Sequence, residues 1–168
     1  MMLSANFTLE EMLVSDTAAR MGREVVPDRG ILPNLRWGCE NVMQPIRDLW
    51  GQPIIVSSGY RPQWLNKAIG GSPNSQHMDG CACDFKIVAG QGSLIQLMRD
   101  IVCTDIPFDQ IIYETGVWIH VSWTPTGTPR GEVLTMYRKP RIMPLKPKSV
   151  YVTGIHEIST LLEQGVPA

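Results

Sequence analysis

The stretch SQHMDGCACDF, residues 75–85, gathers one His, two Asp and two Cys. Imidazole nitrogen, carboxylate oxygen and thiolate sulfur are the side-chain groups that hold zinc, so the chemistry to test here is metal binding. The thiols fit it poorly. Cys81 and Cys83 form one close pair, and Cys39 and Cys103 make no second, as a structural zinc site would require. The four read as buried or incidental thiols. A second stretch, VWIHVSW at 117–123, contributes His120. In a strand, side chains alternate between faces. In CACDFKIV, 81–88, that puts Cys83, Phe85 and Ile87 on an apolar face and Asp84 on the other. In VWIHVSW it puts Ile119, Val121 and Trp123 on one face and Trp118, His120 and Ser122 on the other. Each strand then buries one side and presents one ligand-type residue on its open side. His77, in the loop before Asp84, makes a third. Two imidazoles and a carboxylate would leave zinc a fourth position for water, as catalytic sites do. On spacing alone, a surface-loop His77 and a packed strand His120 are the plainer account of the same residues.

The rest of the chain must position these groups. FTLEEMLVSDTAARM, 7–21, reads as a helix, with Thr8 and Glu11 as a capping box and Phe7 stapled against Met12. VVPDRGILP, 25–33, is a Pro/Gly loop. Residues 34–51 carry apolar side chains at helical period, and Pro45 predicts a kink or break among them. PIIVSSGYR, 53–61, is a short buried strand, and PQWLNKAIGG, 62–71, a short helix with Pro at its start. Residues 92–103 form a helix capped by Ser93, and DQIIYE, 109–114, is a strand before the Thr-Gly turn that leads to His120. This order predicts an α+β fold with a small, mostly antiparallel sheet flanked by helices. After Trp123 the composition shifts to Pro, Lys and Arg. Two segments are expected: a domain over 1–125, and a Pro/Lys-rich extension over 126–168 that ends in a short amphipathic helix at 155–163. Its basic residues Arg130, Arg138, Lys139, Arg141, Lys146 and Lys148 suit a solvated face, or docking on an anionic polymer or another protein.

Composition bounds the function. The chain has 168 residues, enough for one domain with a core. A net charge of −1 argues against a dedicated nucleic-acid binder. No apolar run reaches the length of a membrane span. The start, MMLSANFTLEEML, lacks the basic and apolar regions of a secretory signal, so synthesis in the cytoplasm is expected. A monomer is expected.

SGYR at 58–61, LNKAIGGSPNSQHMDGCACDF at 65–85, and FDQIIYE and WIHVS within 108–122 together resemble the zinc D-Ala-D-Ala carboxypeptidase family, of peptidase M15 type. More narrowly they are similar to its compact phage-type members, cell-wall lytic peptidases. The hedgehog signalling domain and the vancomycin-resistance dipeptidases share the fold. The resemblance implies zinc as cofactor and His77, Asp84 and His120 as its ligands. It implies that Arg61, in SGYR, binds a substrate carboxylate, for which a planar guanidinium fork is well shaped. Ser75 matches a position near the substrate; Gln76 matches no role. Many members carry an acid three residues before the last His ligand, where this chain has Val117. The nearest acid is Glu114, within YETGVWIH, and it is the expected general base; otherwise it is a strand-end residue bonded to the turn. Trp118 would wall the cleft or simply pack. Asp109 reads as a cap or turn residue.

The implied activity is hydrolysis of a peptide bond in peptidoglycan stems, as a D-Ala-D-Ala carboxypeptidase or an L-Ala-D-Glu-type endopeptidase. The setting would be a phage lysin that acts on the wall after release or as a virion component. The rival is an inactive cell-wall-binding or virion structural module on the same fold, kept open by Val117.

Overall fold

In the computed structural model, residues 1–139 and 147–164 are described. Thr8 caps the first helix, α1 (Leu9–Met12), with the reciprocal Thr8–Glu11 bonds of a capping box. Phe7 and Met12 are both buried. The single helix expected over 7–21 is instead two. α1 stops at Leu13, and Ser15 opens α2 (Asp16–Arg20) by accepting from the Ala18 N–H. A second serine cap inside an apolar pattern is the signal for that break.

Helix α3 (Ile31–Gly38) runs through a π-helical turn, Cys39–Met43, into α4 (Gln44–Trp50). Pro45 does not break this helix. Proline has no N–H to return to the preceding turn. The ladder is already re-spaced ahead of it, where the Gln44 N–H reaches Cys39 O, so the chain continues. Gly38 lies under Trp123: a Cβ there would stand 1.9 Å from the indole, so only glycine lets helix and ring meet.

The remaining elements are β1 (Ile54–Ser58), α5 (Gln63–Ala68), a 3₁₀ turn (Gln76–Asp79), β2 (Ala82–Ile87), α6 (Leu94–Val102), β3 (Gln110–Glu114), β4 (Trp118–Ser122), β5 (Glu132–Lys139), β6 (Lys148–Thr153) and α7 (Ile158–Gln164). Six strands form one sheet in the order β1-β2-β4-β3-β5-β6. All neighbours are antiparallel except β3 and β5, which run parallel. The fold is α+β with a mostly antiparallel sheet, as expected.

The alternation read in β2 and β4 holds through the middle of each strand, while Ala82 and Ser122, at the strand ends on the other face, are covered and fully buried too. Cys83, Phe85, Ile119, Val121 and Trp123 are fully buried among Leu35, Val42, Ile46 and Met98 of the helices. Burying each such side chain is worth about 1.5–3 kcal/mol, so this face fixes the strand register. A one-residue slip would exchange His120 for Ile119 on the open side. Beyond residue 125 the chain is not a detached tail. β5 pairs with β3 from Gln110↔Glu132 to Glu114↔Met136, and β6 pairs with β5. Tyr137, Val150 and Leu161 form a smaller cluster under α7. The run EVLTMY carries this strand signal, and the flanking basic residues and prolines mask it. Arg141 and Lys146 lie outside the described residues, as do 165–168; Arg138, Lys139 and Lys148 are exposed. Among the described residues no helix is long and apolar enough to cross a membrane.

Candidate active site

The open face of the sheet floors a cleft of about 850 Å³, within the roughly 300–1,000 Å³ usual for ligand sites. Its middle is set by register. Asp84 on β2 stands directly opposite His120 on β4, and Ser58 on β1 stands opposite Asp84. His77 arrives from the 3₁₀ turn, which Gly80 ends at φ 66°, a conformation that suits glycine. The turn is pinned to SGYR: the Arg61 N–H donates to His77 O. Gly59 is required nearby, because a Cβ on it would meet the Met12 carbonyl oxygen at 2.3 Å.

The His77 ring is 1% exposed, and its Nδ1 lies 2.7 Å from the Gly59 carbonyl oxygen. A carbonyl accepts only, so Nδ1 carries the proton and Nε2 is left with its lone pair directed into the cleft. There it meets Asp84 Oδ1 at 3.2 Å and His120 Nδ1 at 3.1 Å, and His120 Nδ1 lies 2.8 Å from the same carboxylate oxygen. These are the separations of a ligand set. Bonds of about 2.0–2.2 Å in a tetrahedron put neighbouring donor atoms ~3.3–3.6 Å apart, and the observed separations fall just short of that range. Among the described residues this trio is the group of His, Cys, Asp or Glu side chains whose donor atoms gather closely enough for a metal ion. An imidazole lone pair, a second ring nitrogen and a carboxylate are a donor set that zinc accepts, so the residues fit the metal.

The electrostatics agree. Burial pushes the His77 imidazole below its usual range, against the pull of Asp84, which keeps it neutral as a ligand must be. Burial alone would raise Asp84, but its histidine neighbours, His77 first and then His120, hold its carboxyl well below the usual range. Its Oδ2 accepts from Arg61 Nη2 at 2.8 Å in a pair with both side chains mostly buried. Arg61 thus steadies the carboxylate as well as lining the cleft, and its buried Nε has no partner among the described residues.

Glu114 also lines the cleft. Burial, and then the Asp84 charge, push its carboxyl above the usual range. His120 and Arg61, and after them a hydrogen bond from the Trp118 side chain opposite it across β3 and β4, moderate the rise. Glu114 is also the last residue of β3, and its carbonyl accepts from the Val117 N–H of the turn. Val117 is exposed in that turn. Ser75 and Trp118 line the cleft with the others. Asp79 is exposed, and Cys81 and Cys83 are buried free thiols outside the trio, with burial pushing Cys81 up to about 11 and Cys83 well above its usual value.

The segment read as an extension also lines the cleft, through Arg130, Leu134 and Tyr151. Asp109 is more than a turn residue. It is buried and held by Arg130 through Oδ2, at 2.7 Å from Nη2 and 3.0 Å from Nε. Nothing in the spacing of Asp109 and Arg130 foretells the pair, because the parallel β3–β5 pairing creates it.

With this geometry in view, the comparison with known families is specific. The family model described as Peptidase M15 matches residues 5–122, and the chain belongs to that family. The match contains His77, Asp84, His120, Arg61 and Glu114, and ends before Arg130. No curated protein matches the chain. The family makes the protein a peptidase, a hydrolase.

Proposed function

We propose that the protein is a zinc-dependent peptidase that cleaves a peptide bond in the stems of bacterial peptidoglycan. The observation that carries this is the convergence of His77 Nε2, Asp84 Oδ1 and His120 Nδ1 on one point of a cleft, in a chain of the M15 family. His77, Asp84 and His120 would hold the metal. When bound, zinc supplies Lewis acidity, polarising the scissile carbonyl and acidifying water.

The chain's own residues do the rest. Glu114, with its raised pKa, takes a proton from the attacking water and returns it to the leaving amine; a carboxyl shifted toward neutrality exchanges protons in both directions. Trp118 orients that carboxyl through its side chain. Arg61 holds Asp84 and offers its remaining N–H groups to a substrate carboxylate. Ser75 borders the same space. Glu114 would supply the acid that Val117 does not, which supports the peptidase reading over that of an inert module. A phage lysin, released to the wall or carried on the virion, is the setting in which such an enzyme acts, and peptide stems are its partner.

The test is metal content of the purified protein beside a His77→Ala/His120→Ala variant, with peptidoglycan digestion and mass analysis of the fragments on the same samples. One zinc per chain, lost in the variant, with chelator-sensitive fragment release is expected. The fragment masses separate a D-Ala-D-Ala carboxypeptidase from an L-Ala-D-Glu-type endopeptidase. Zinc without any fragment would overturn the peptidase reading, and no metal would overturn the site.

A further inference from the structure

Gln76 precedes the ligand His77 and begins its 3₁₀ turn, yet its side chain points away from the trio, into a second polar cluster. Its Nε2 donates to Asp109 Oδ2 at 3.0 Å, and its Oε1 accepts from Arg130 Nη2 at 3.2 Å. Asp109 also accepts from the Arg130 backbone N–H at 2.9 Å, besides the two guanidinium bonds. Arg130 Nη1 reaches Glu132, so most of the guanidinium donors are already used. Two carboxylates surround this one cation. The cluster is therefore not a site for another anion.

Its position in the fold says what it does. Asp109 leads into β3, and its backbone N–H donates to Ser122 O at the end of β4. Glu132, at the start of β5, donates its N–H to Asp109 O. The Gln76 carbonyl accepts from Cys81 N–H, which closes the turn on β2. Arg130 thus ties three pieces together: the turn that carries His77, the strand pair that carries Glu114 and His120, and the first residues of β5. A ligand delivered by a short turn, rather than by a strand in register, has its position set by whatever grips that turn.

We propose that Arg130, outside the segment matched by the family, is a positioning residue for the metal ligand His77, acting through Asp109 and Gln76. The inference rests on the reading of His77 as a ligand. Groups that orient a metal ligand typically change metal affinity by about 10–100-fold when removed.

The experiment measures zinc affinity of the full-length chain by competition with a chromophoric chelator. The variants are Arg130→Ala, Arg130→Lys, Gln76→Ala and the Arg130→Ala/Gln76→Ala double. Thermal midpoints of the metal-free proteins are recorded in parallel. Each alanine variant weakens zinc binding by about tenfold or more, and the double is no weaker than the weaker single, because both cut one chain of contacts. Lysine keeps the charge but loses the fork, so it falls between alanine and wild type. If Arg130→Ala does not fold, Arg130→Lys and Gln76→Ala decide the matter alone. Zinc affinity within about twofold of wild type in these variants, whatever their thermal midpoints, overturns the positioning role while leaving the ligand reading intact. A wild-type chain that binds no zinc overturns both.

Discussion

Replacing Glu114 by Gln isolates proton transfer from everything else in the cleft. Glutamine keeps the size of the side chain and a carbonyl acceptor for Trp118, but it cannot take a proton from water. Glu114 lies outside the trio of His77, Asp84 and His120, so zinc content is expected to stay at the wild-type value. Loss of a general base costs roughly 10²–10⁴-fold in rate. At about 1.36 kcal/mol per tenfold, that is ~2.7–5.4 kcal/mol of barrier. The stability effect has the opposite direction. The folded carboxyl has a raised pKa because of burial and the Asp84 charge, so the folded state holds this proton more tightly than the unfolded chain. Its contribution favours folding below the unfolded value and is lost as pH rises through the folded one. In metal-free protein, Glu114→Gln therefore melts higher than wild type near neutral pH, and the advantage shrinks as the solution is made acidic. The assays are fragment release from peptidoglycan with mass detection, metal analysis, and melting in chelator across pH. Activity within about tenfold of wild type would refute Glu114 as the base. A Gln variant less stable than wild type at neutral pH would refute the account of its environment.

Other outcomes follow from single contacts. Trp118→Phe removes the hydrogen bond that favours the charged form of Glu114, so the acidic limb of the pH–rate profile moves to higher pH; an unmoved limb would separate the two residues. Thr115 sits at φ 54° and Gly116 at φ 76°, the two central positions of the β-turn closed by the Val117 N–H to Glu114 O bond, where a β-branched residue is strained. Thr115→Asn is expected to stabilise by about 1 kcal/mol, a rise of about 2–4 °C in melting temperature. Gly38→Ala drives a Cβ into the Trp123 indole and should cost at least about 1–3 kcal/mol by urea unfolding. Chelator added to zinc-loaded protein lowers the melting temperature of wild type and leaves His77→Ala unmoved.

Much of this site is written in local pattern. Period-two alternation in CACDFKI and VWIHVSW is enough to place Asp84 and His120 on one open face, because their neighbours Cys83, Phe85, Ile119 and Val121 must be buried. His77 is legible only through the resemblance, since a loop has no period. Arg61 too is legible as a cleft residue only through the resemblance, and its bond to Asp84 is not legible at all, because it depends on how β1 bulges at Val56–Ser58 against β2. As cleft residues, Arg130, Leu134 and Tyr151 were hidden for a different reason. Parallel pairing joins strands distant in sequence, and no turn signature announces it.

That parallel pairing has a practical edge. Residues 5–122 contain every candidate ligand and the candidate base, which makes them look like a portable catalytic unit for grafting onto other wall-binding modules. A chain cut after residue 125 would lose β5 and leave β3, the strand of Glu114, as a bare sheet margin offering unpaired backbone N–H and C=O groups to any passing strand. It would also strand Asp109, buried with its arginine gone. Fusion partners therefore belong after α7, where the sheet already ends on a strand of its own.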